Sequence, residues 1–133
     1  MELSEQIFSE GKLLAFVIRN ELSPATTTFV TPPEINLQLG YVVYPNGGQV
    51  LRHMHRPIER NITGTTEIIF IKKGRCLMDI YDDKQKLVNS IDLKQGDTVL
   101  MIGGGHGFRM LEDTILLEIK QGPYTGMEEK VRF

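Results

Sequence analysis

Residues 49–74 read QVLRHMHRPIERNITGTTEIIFIKKG, and they decide what fold and what site we predict. His53 and His55 are separated by one residue. Because side chains alternate between the two faces of a strand, a strand over Gln49–His55 would project both imidazoles from one face. We therefore predict that His53 and His55 are paired metal ligands or active-site histidines.

Two later residues complete the predicted site. Glu67 opens an apolar run of strand length, and His106 lies in the glycine-rich segment GGGHGF at 103–108. A backbone turn in that segment would carry the His106 ring toward the other two histidines, which are the only others in the chain. Histidine nitrogens with a carboxylate oxygen suit Zn, Mn, Fe, Co or Ni, and ligand type alone does not choose among these metals.

The spacing of these residues resembles the two-motif signature of the cupins, which are small β-barrels of the jelly-roll type. The matching positions, in chain order, are His53, His55, Glu67, Gly74, Gly96, Asp97 and His106. The resemblance implies an all-β, single-domain cupin jelly-roll β-barrel over residues 1–133. It also implies a divalent metal held by His53, His55, Glu67 and His106, and a homodimer.

The chain departs from the cupin pattern at two places. The segment Arg56–Thr66 lengthens the gap between the second histidine and the glutamate, and Glu59 has the more usual spacing from His55. We prefer Glu67 as the carboxylate ligand because an apolar strand follows it, and Glu59 is the alternative. Ile102 stands where the second motif has a proline.

Turn residues divide the rest of the chain into about nine or ten short strands, which is typical of a sandwich or barrel. The predicted strands are Gln6–Phe8, Leu13–Arg19, Leu37–Tyr44, Gln49–His55, Glu67–Lys72, Arg75–Tyr81, Lys86–Ile91, Thr98–Ile102, Phe108–Leu111 and Thr114–Lys120. Residues 22–36 contain three prolines, so we predict a surface loop there.

The last of these strands carries two charges at alternate positions. Glu118 and Lys120 alternate with Ile115, Leu117 and Ile119. The pattern favours a solvent-facing position for the charges and a buried face for the aliphatic residues. The alternative is that an anionic substrate at the barrel mouth is contacted by Lys120, or by Arg52, Arg56, Arg60 and Arg109.

Composition limits the partners and the compartment. The 133 residues carry a formal charge of −2, with 15 basic residues scattered along the chain, so we expect no nucleic-acid partner. No run approaches the roughly 18 apolar residues of a membrane span, and the N-terminus lacks signal-peptide features. A single cysteine, Cys76, excludes an internal disulfide. We expect a soluble, cytoplasmic protein.

Three functions are compatible with the predicted site. The preferred one is a metal-dependent cupin enzyme, of the dioxygenase or isomerase type, acting on a small oxygen-rich substrate. A metal-free ketoisomerase or epimerase acting on a sugar nucleotide is the second, with His53 or His55 as general base. The third is a cupin that binds a ligand without turnover. The fold does not select among them.

Overall fold

The computed structural model describes residues 3–126 and 130–133, which form ten β-strands and no α-helix. The strands are β1 (Glu5–Ser9), β2 (Lys12–Ile18), β3 (Thr28–Phe29), β4 (Gly40–Tyr41), β5 (Glu67–Lys73), β6 (Arg75–Tyr81), β7 (Leu87–Lys94), β8 (Thr98–Met101), β9 (Gly105–Met110) and β10 (Ile115–Lys120). The predictions of an all-β chain and of nine or ten strands are confirmed.

The strands pair into three antiparallel sheets. A five-stranded sheet has the order β1-β2-β8-β5-β10, a three-stranded sheet has the order β7-β6-β9, and β3 pairs with β4. The strand pairing of the described residues does not close into a barrel. The chain forms two compact units, Met1–Leu22 with Thr65–Phe133, and Ser23–Gly64. We call them the sheet unit and the 23–64 unit and describe each by itself.

The core of the sheet unit lies between its two larger sheets. Val17, Ile69, Ile71 and Val99 of the five-stranded sheet pack in one cluster with residues of the three-stranded sheet that include Met78. The cluster is aliphatic because these residues occupy alternate positions of their strands, which all point to the same side. We call this side of each sheet its inner face.

Two tight turns join the strands around the core. Gly74 connects β5 to β6 and Gly96 connects β7 to β8, and both have φ of +91°. A Cβ atom on Gly96 would lie 2.3 Å from the Asn20 side chain, and one on Gly74 would lie 2.3 Å from the Asp113 carbonyl oxygen. The two glycines that match the cupin pattern are therefore required by backbone conformation and by lack of space.

A β-bulge changes the register between β5 and β10. Ile115 pairs with Lys73, but the next residue, Leu116, pairs with Ile71, so one residue of β5 is left unpaired. After the bulge Glu118 pairs with Ile69. Because directly paired residues share a face, Leu116 and Glu118 lie on the inner face.

The 23–64 unit has little regular structure. Its two-residue strands β3 and β4 pair antiparallel, and the Phe29 ring occupies the space where Gly40 would carry a Cβ atom. Residues 42–66 contain no strand. The prediction of a strand over Gln49–His55 is therefore wrong, and only two residues of the predicted strand Leu37–Tyr44 are extended in a sheet.

The physical reason lies in the apolar side chains of this segment. Val50, Leu51 and Met54 are all exposed, the last two to 81% and 93%. The sequence does not alternate here, since Val50 and Leu51 are adjacent, and no strand pairs with the segment. A strand with neither a hydrophobic face to bury nor a partner for its backbone groups is not stable.

Candidate functional site

Glu67 and His106 come together on the inner face of the sheet unit. His106 Nε2 lies 3.0 Å from Glu67 Oε2, although the two residues belong to different sheets. Glu67 is the first residue of β5, and it faces inward with Ile69 and Ile71 because the three alternate along the strand. The sequence prediction that these two residues share a site is consistent with this contact.

The position of His106 differs from the prediction in one respect. His106 lies within strand β9, where it pairs with Ile80, and not in a glycine-rich turn. Ile80 belongs to the buried core cluster, so His106 also faces inward. The Phe108 ring, two residues later on the same face, packs against the imidazole in a T-shaped contact with ring centroids 5.8 Å apart.

Lys120 is the charged residue opposite Glu67. The two residues pair directly across β5 and β10, and Lys120 Nζ lies 4.0 Å from Glu67 Oε1. The lysine side chain is 21% exposed. Glu118 lies two residues earlier on the same face and is exposed. We call Glu67, His106, Glu118 and Lys120 the Glu67 cluster.

The aliphatic residues of β10 are not buried as predicted, since Ile115, Leu117 and Ile119 are exposed to about half of their surface, at 51%, 49% and 50%. Lys120 is only half-buried on the inner face, which also departs from the prediction, whereas Glu118 shares that face but is exposed as predicted. The bulge in β5 causes the exchange, because it shifts β10 by one residue relative to its partner. No signal in the alternation of β10 alone reveals it.

Burial and charge act on Glu67 in opposite directions. The His106 ring beside it is the main influence and lowers the pKa of the Glu67 carboxyl, burial raises it, and the nearby Lys120 lowers it further. The net effect is a lowered pKa, so the group is a carboxylate at neutral pH. Its Oε2 atom is buried and accepts no hydrogen bond of good geometry from the described residues, although His106 Nε2 lies 3.0 Å from it.

The other two predicted ligands lie in the 23–64 unit. The imidazole rings of His53 and His55 are in T-shaped contact with centroids 5.2 Å apart, and both residues are exposed. His53 Nδ1 lies 2.8 Å from the Leu51 carbonyl oxygen. Since a ring nitrogen next to a carbonyl oxygen carries the proton, Nε2 of His53 is the atom available as a ligand. The alternative carboxylate, Glu59, is also exposed in this unit.

The donor atoms of Glu67 and His106 are of the types that bind divalent metals. A buried carboxylate oxygen without a hydrogen bond and an imidazole nitrogen 3.0 Å from it are ligands that Zn, Mn, Fe, Co and Ni accept. Lys120 lies close enough to repel a cation in part. Across residues 3–126 and 130–133, no three His, Cys, Asp or Glu side chains are grouped as a metal site. The four-ligand metal site stays a prediction.

A second polar network lies elsewhere in the sheet unit and supports the fold. Asp97, which matches the aspartate of the second cupin motif, is completely buried, and its carboxylate accepts hydrogen bonds from the Asn20 and Lys94 backbone amides. Arg19 Nη1 donates to the same carboxylate at 3.1 Å. Asp97 therefore holds the turn between β7 and β8 against the end of β2.

No helix in the described part of the chain has the length and apolar character that crossing a bilayer requires.

Comparisons with known proteins do not identify a family for this chain. A scan against protein-family models, a search of curated proteins and a search of solved structures each returned no significant match.

Proposed function

We propose that the chain is a single cupin domain with a jelly-roll barrel, and that it is a metal-dependent enzyme acting on a small oxygen-rich substrate. The proposed ligands of the metal, which is Fe, Mn, Ni, Co or Zn, are His53, His55, Glu67 and His106. The contact of 3.0 Å between His106 and Glu67 is the observation that carries the proposal. It joins strands of two sheets on the inner face, where a small substrate can be shielded from water.

Each residue of the proposed site would have a separate role. Glu67 and His106 would hold the metal and, through their positions on β5 and β9, fix it against the inner face. A bound metal would polarise a carbonyl, stabilise an enolate or activate water or dioxygen. Ile69 and Met101, which lie on the same face, exclude water and so strengthen the electrostatic interactions of the cluster.

Metal binding by designed variants tests this proposal. The full chain, made without a histidine-rich tag, is treated with chelator and dialysed against each of the five ions, and bound metal is measured by elemental analysis. We expect about one equivalent per chain, and its loss in His53→Ala, Glu67→Gln and His106→Ala, because each change removes a ligand.

Glu59→Gln is the matched control. It removes an exposed carboxylate of the alternative position and should leave the metal content unchanged. If Glu59→Gln loses the metal and Glu67→Gln keeps it, the carboxylate ligand is Glu59. If the wild-type chain binds none of the five ions, the metalloenzyme proposal is wrong.

A second candidate function is favoured by the same contact. A carboxylate beside an imidazole orients the ring, and an oriented imidazole is what a proton-transfer enzyme without metal needs as its general base. The proposed reaction is then a ketoisomerase or epimerase reaction on a sugar or sugar nucleotide. His53 and His55 are the proposed bases in that scheme, and His106 with Glu67 is a further pair of this kind.

The two candidates differ in how activity responds to chelation. Activity of a metal-dependent enzyme disappears in chelator-treated protein and returns with one of the five ions. A metal-free isomerase retains its activity after chelation, and it loses activity in His53→Ala or His106→Ala at unchanged metal content. Sugar nucleotides are the substrates to screen first if chelation has no effect.

We also propose a cytoplasmic homodimer. Cys76 is buried and unpaired, which is usual for a protein of a reducing compartment. Strand β10 is at the edge of the five-stranded sheet, and its outer face carries the half-exposed Ile115, Leu117 and Ile119. An apolar edge strand is a natural place for two copies to pair, since association covers both its side chains and its free backbone groups.

A further inference from the structure

Lys120 is a half-buried cation that makes no hydrogen bond to the described residues. Its side chain is 21% exposed, and Glu67 Oε1 is 4.0 Å from Nζ, which is an ion-pair distance but longer than a hydrogen bond. A lysine ammonium has three N–H donors, so the group can donate to a ligand that approaches from solvent.

The surroundings hold the ammonium in place. The Tyr124 ring lies over Lys120 Nζ, with the nitrogen 5.7 Å from the ring centroid. This cation–π contact covers one side of the ammonium, and the pairing of Lys120 with Glu67 fixes the start of the side chain on the inner face. The cluster therefore offers a cationic donor beside the carboxylate of Glu67.

We propose that Lys120 binds the carboxylate group of a small carboxylic-acid substrate at the Glu67 cluster. The inference rests on the proposed function, since it names the substrate class of the same site. A charge-assisted hydrogen bond from a lysine to a carboxylate is about twice as strong as one between neutral groups, and more so where water is excluded.

The charges of the cluster favour a monoanion over a phosphate. Lys120 is one ammonium, and Glu67 and Glu118 are two carboxyl groups on the same face. Both carboxyl groups would repel a phosphate with nearly two negative charges more strongly than a monoanion. Arg109 of β9, whose planar fork of donors would suit a phosphate, pairs with Asp79 on the outer face.

Pyruvate is a suitable probe because it is a small carboxylate with an adjoining carbonyl, and methyl pyruvate is its uncharged counterpart. Each is titrated into the chelator-treated, ¹⁵N-labelled full chain, and backbone amide shifts of β5, β9 and β10 are followed. We expect saturable shifts with pyruvate and none with methyl pyruvate. Lys120→Met should weaken pyruvate binding at least about tenfold, because it removes a charged hydrogen bond.

Two variants control for indirect effects. Lys72→Met removes an exposed lysine of β5 and should leave the affinity for pyruvate unchanged. Lys120→Arg keeps the charge and should retain most of the binding, which a purely structural role of the lysine would not require.

Four results would overturn the inference. They are equal pyruvate affinity in Lys120→Met and wild type, equal binding of methyl pyruvate, tighter binding of inorganic phosphate than of pyruvate, and no amide shifts in the wild-type chain. If the wild-type chain binds pyruvate but none of the five ions, only the metalloenzyme proposal is wrong. The two proposals can therefore fail separately.

Discussion

The carboxylate of Asp97 accepts a hydrogen bond of 2.9 Å from the backbone amide of Asn20, which lies 77 residues earlier in the chain. The bond ties the β7–β8 turn to the end of β2. Asp97 also accepts from the Lys94 backbone amide at 3.0 Å, so one buried side chain satisfies two backbone donors. Asp97, which matches a position of the second cupin motif, therefore stabilises the turn that it occupies.

Asp97→Asn should destabilise the sheet unit. The amide has the same shape but no charge, and one of its two groups is a donor that would face the backbone donors of Asn20 and Lys94. Disrupting such a buried network costs about 1–3 kcal/mol. The free energy of unfolding, measured by urea titration, should fall by about that amount. An unchanged midpoint would show that Asp97 does not hold the turn.

Stability should also fall in acid because of the same residue. Burial raises the pKa of the Asp97 carboxyl, but the amides of Lys94 and Asn20 and the side chains of Lys94 and Arg19 outweigh it, and the pKa is lowered. A folded-state pKa below the unfolded value of about 3.9 means that the contribution is present above that pH. It is lost as pH falls from there through the folded-state pKa.

Urea unfolding at neutral pH and near pH 3 measures this effect. Other carboxyl groups with lowered pKa contribute as well, so the comparison is between wild type and Asp97→Asn. The variant cannot titrate at position 97, and its loss of stability between the two pH values should be smaller. An equal loss in both proteins would contradict the assignment to Asp97.

Gly96→Ala should be more damaging than an ordinary glycine substitution. Position 96 has a φ of +91°, and a Cβ atom there would meet the Asn20 side chain at 2.3 Å. The variant is strained in its backbone by about 1 kcal/mol, and the contact adds to that. Gly107→Ala in β9 is the control, because a Cβ atom at that position meets nothing within 4 Å. Thermal unfolding of both variants should show a lower midpoint for Gly96→Ala only.

Leu117→Lys should dissociate the proposed homodimer. Antiparallel pairing of two β10 strands about Leu117 would oppose the two copies of this leucine and set each Ile115 against Ile119 of the other copy. A lysine at the centre would place two like charges opposite each other. We expect a dimer for wild type and a monomer for the variant in light scattering after gel filtration. Leu87→Lys, an exposed leucine of β7, should remain dimeric.

The sequence predicts the sheet unit well and the 23–64 unit poorly. Strands such as β5 and β6 are bounded by turn residues and carry a buried face, so alternation and glycine positions are enough to find them. The prediction of a strand over Gln49–His55 rests on the spacing of two histidines, and this spacing indicates possible metal ligation but not strand pairing. Alternation shows which residues of a strand would share a face, but the strand is stable only if a partner strand and a hydrophobic face are present.

The candidate site shows the same division. Glu67 and His106 could be chosen from residue type and motif spacing, because carboxylates and histidines at strand positions are rare and chemically distinctive. The alternation of β10 predicts that Lys120 faces solvent, because three aliphatic neighbours define the opposite face. The register that turns Lys120 toward the inner face depends on one unpaired residue in β5, and the periodicity of β10 contains no information about it.

The bulge between β5 and β10 consequently determines which side chains of β10 lie beside Glu67 and His106. If the pairing of Ile115 with Lys73 continued without interruption, Leu117 would oppose Ile71 and Ile119 would oppose Ile69, and β10 would turn hydrocarbon side chains toward Glu67 and His106. One extra residue in β5 exchanges those hydrocarbon side chains for an ammonium and a carboxyl group. A deletion of one residue at this position would thus remove both charges of β10 from the neighbourhood of Glu67 and His106 without substituting any residue of the Glu67 cluster.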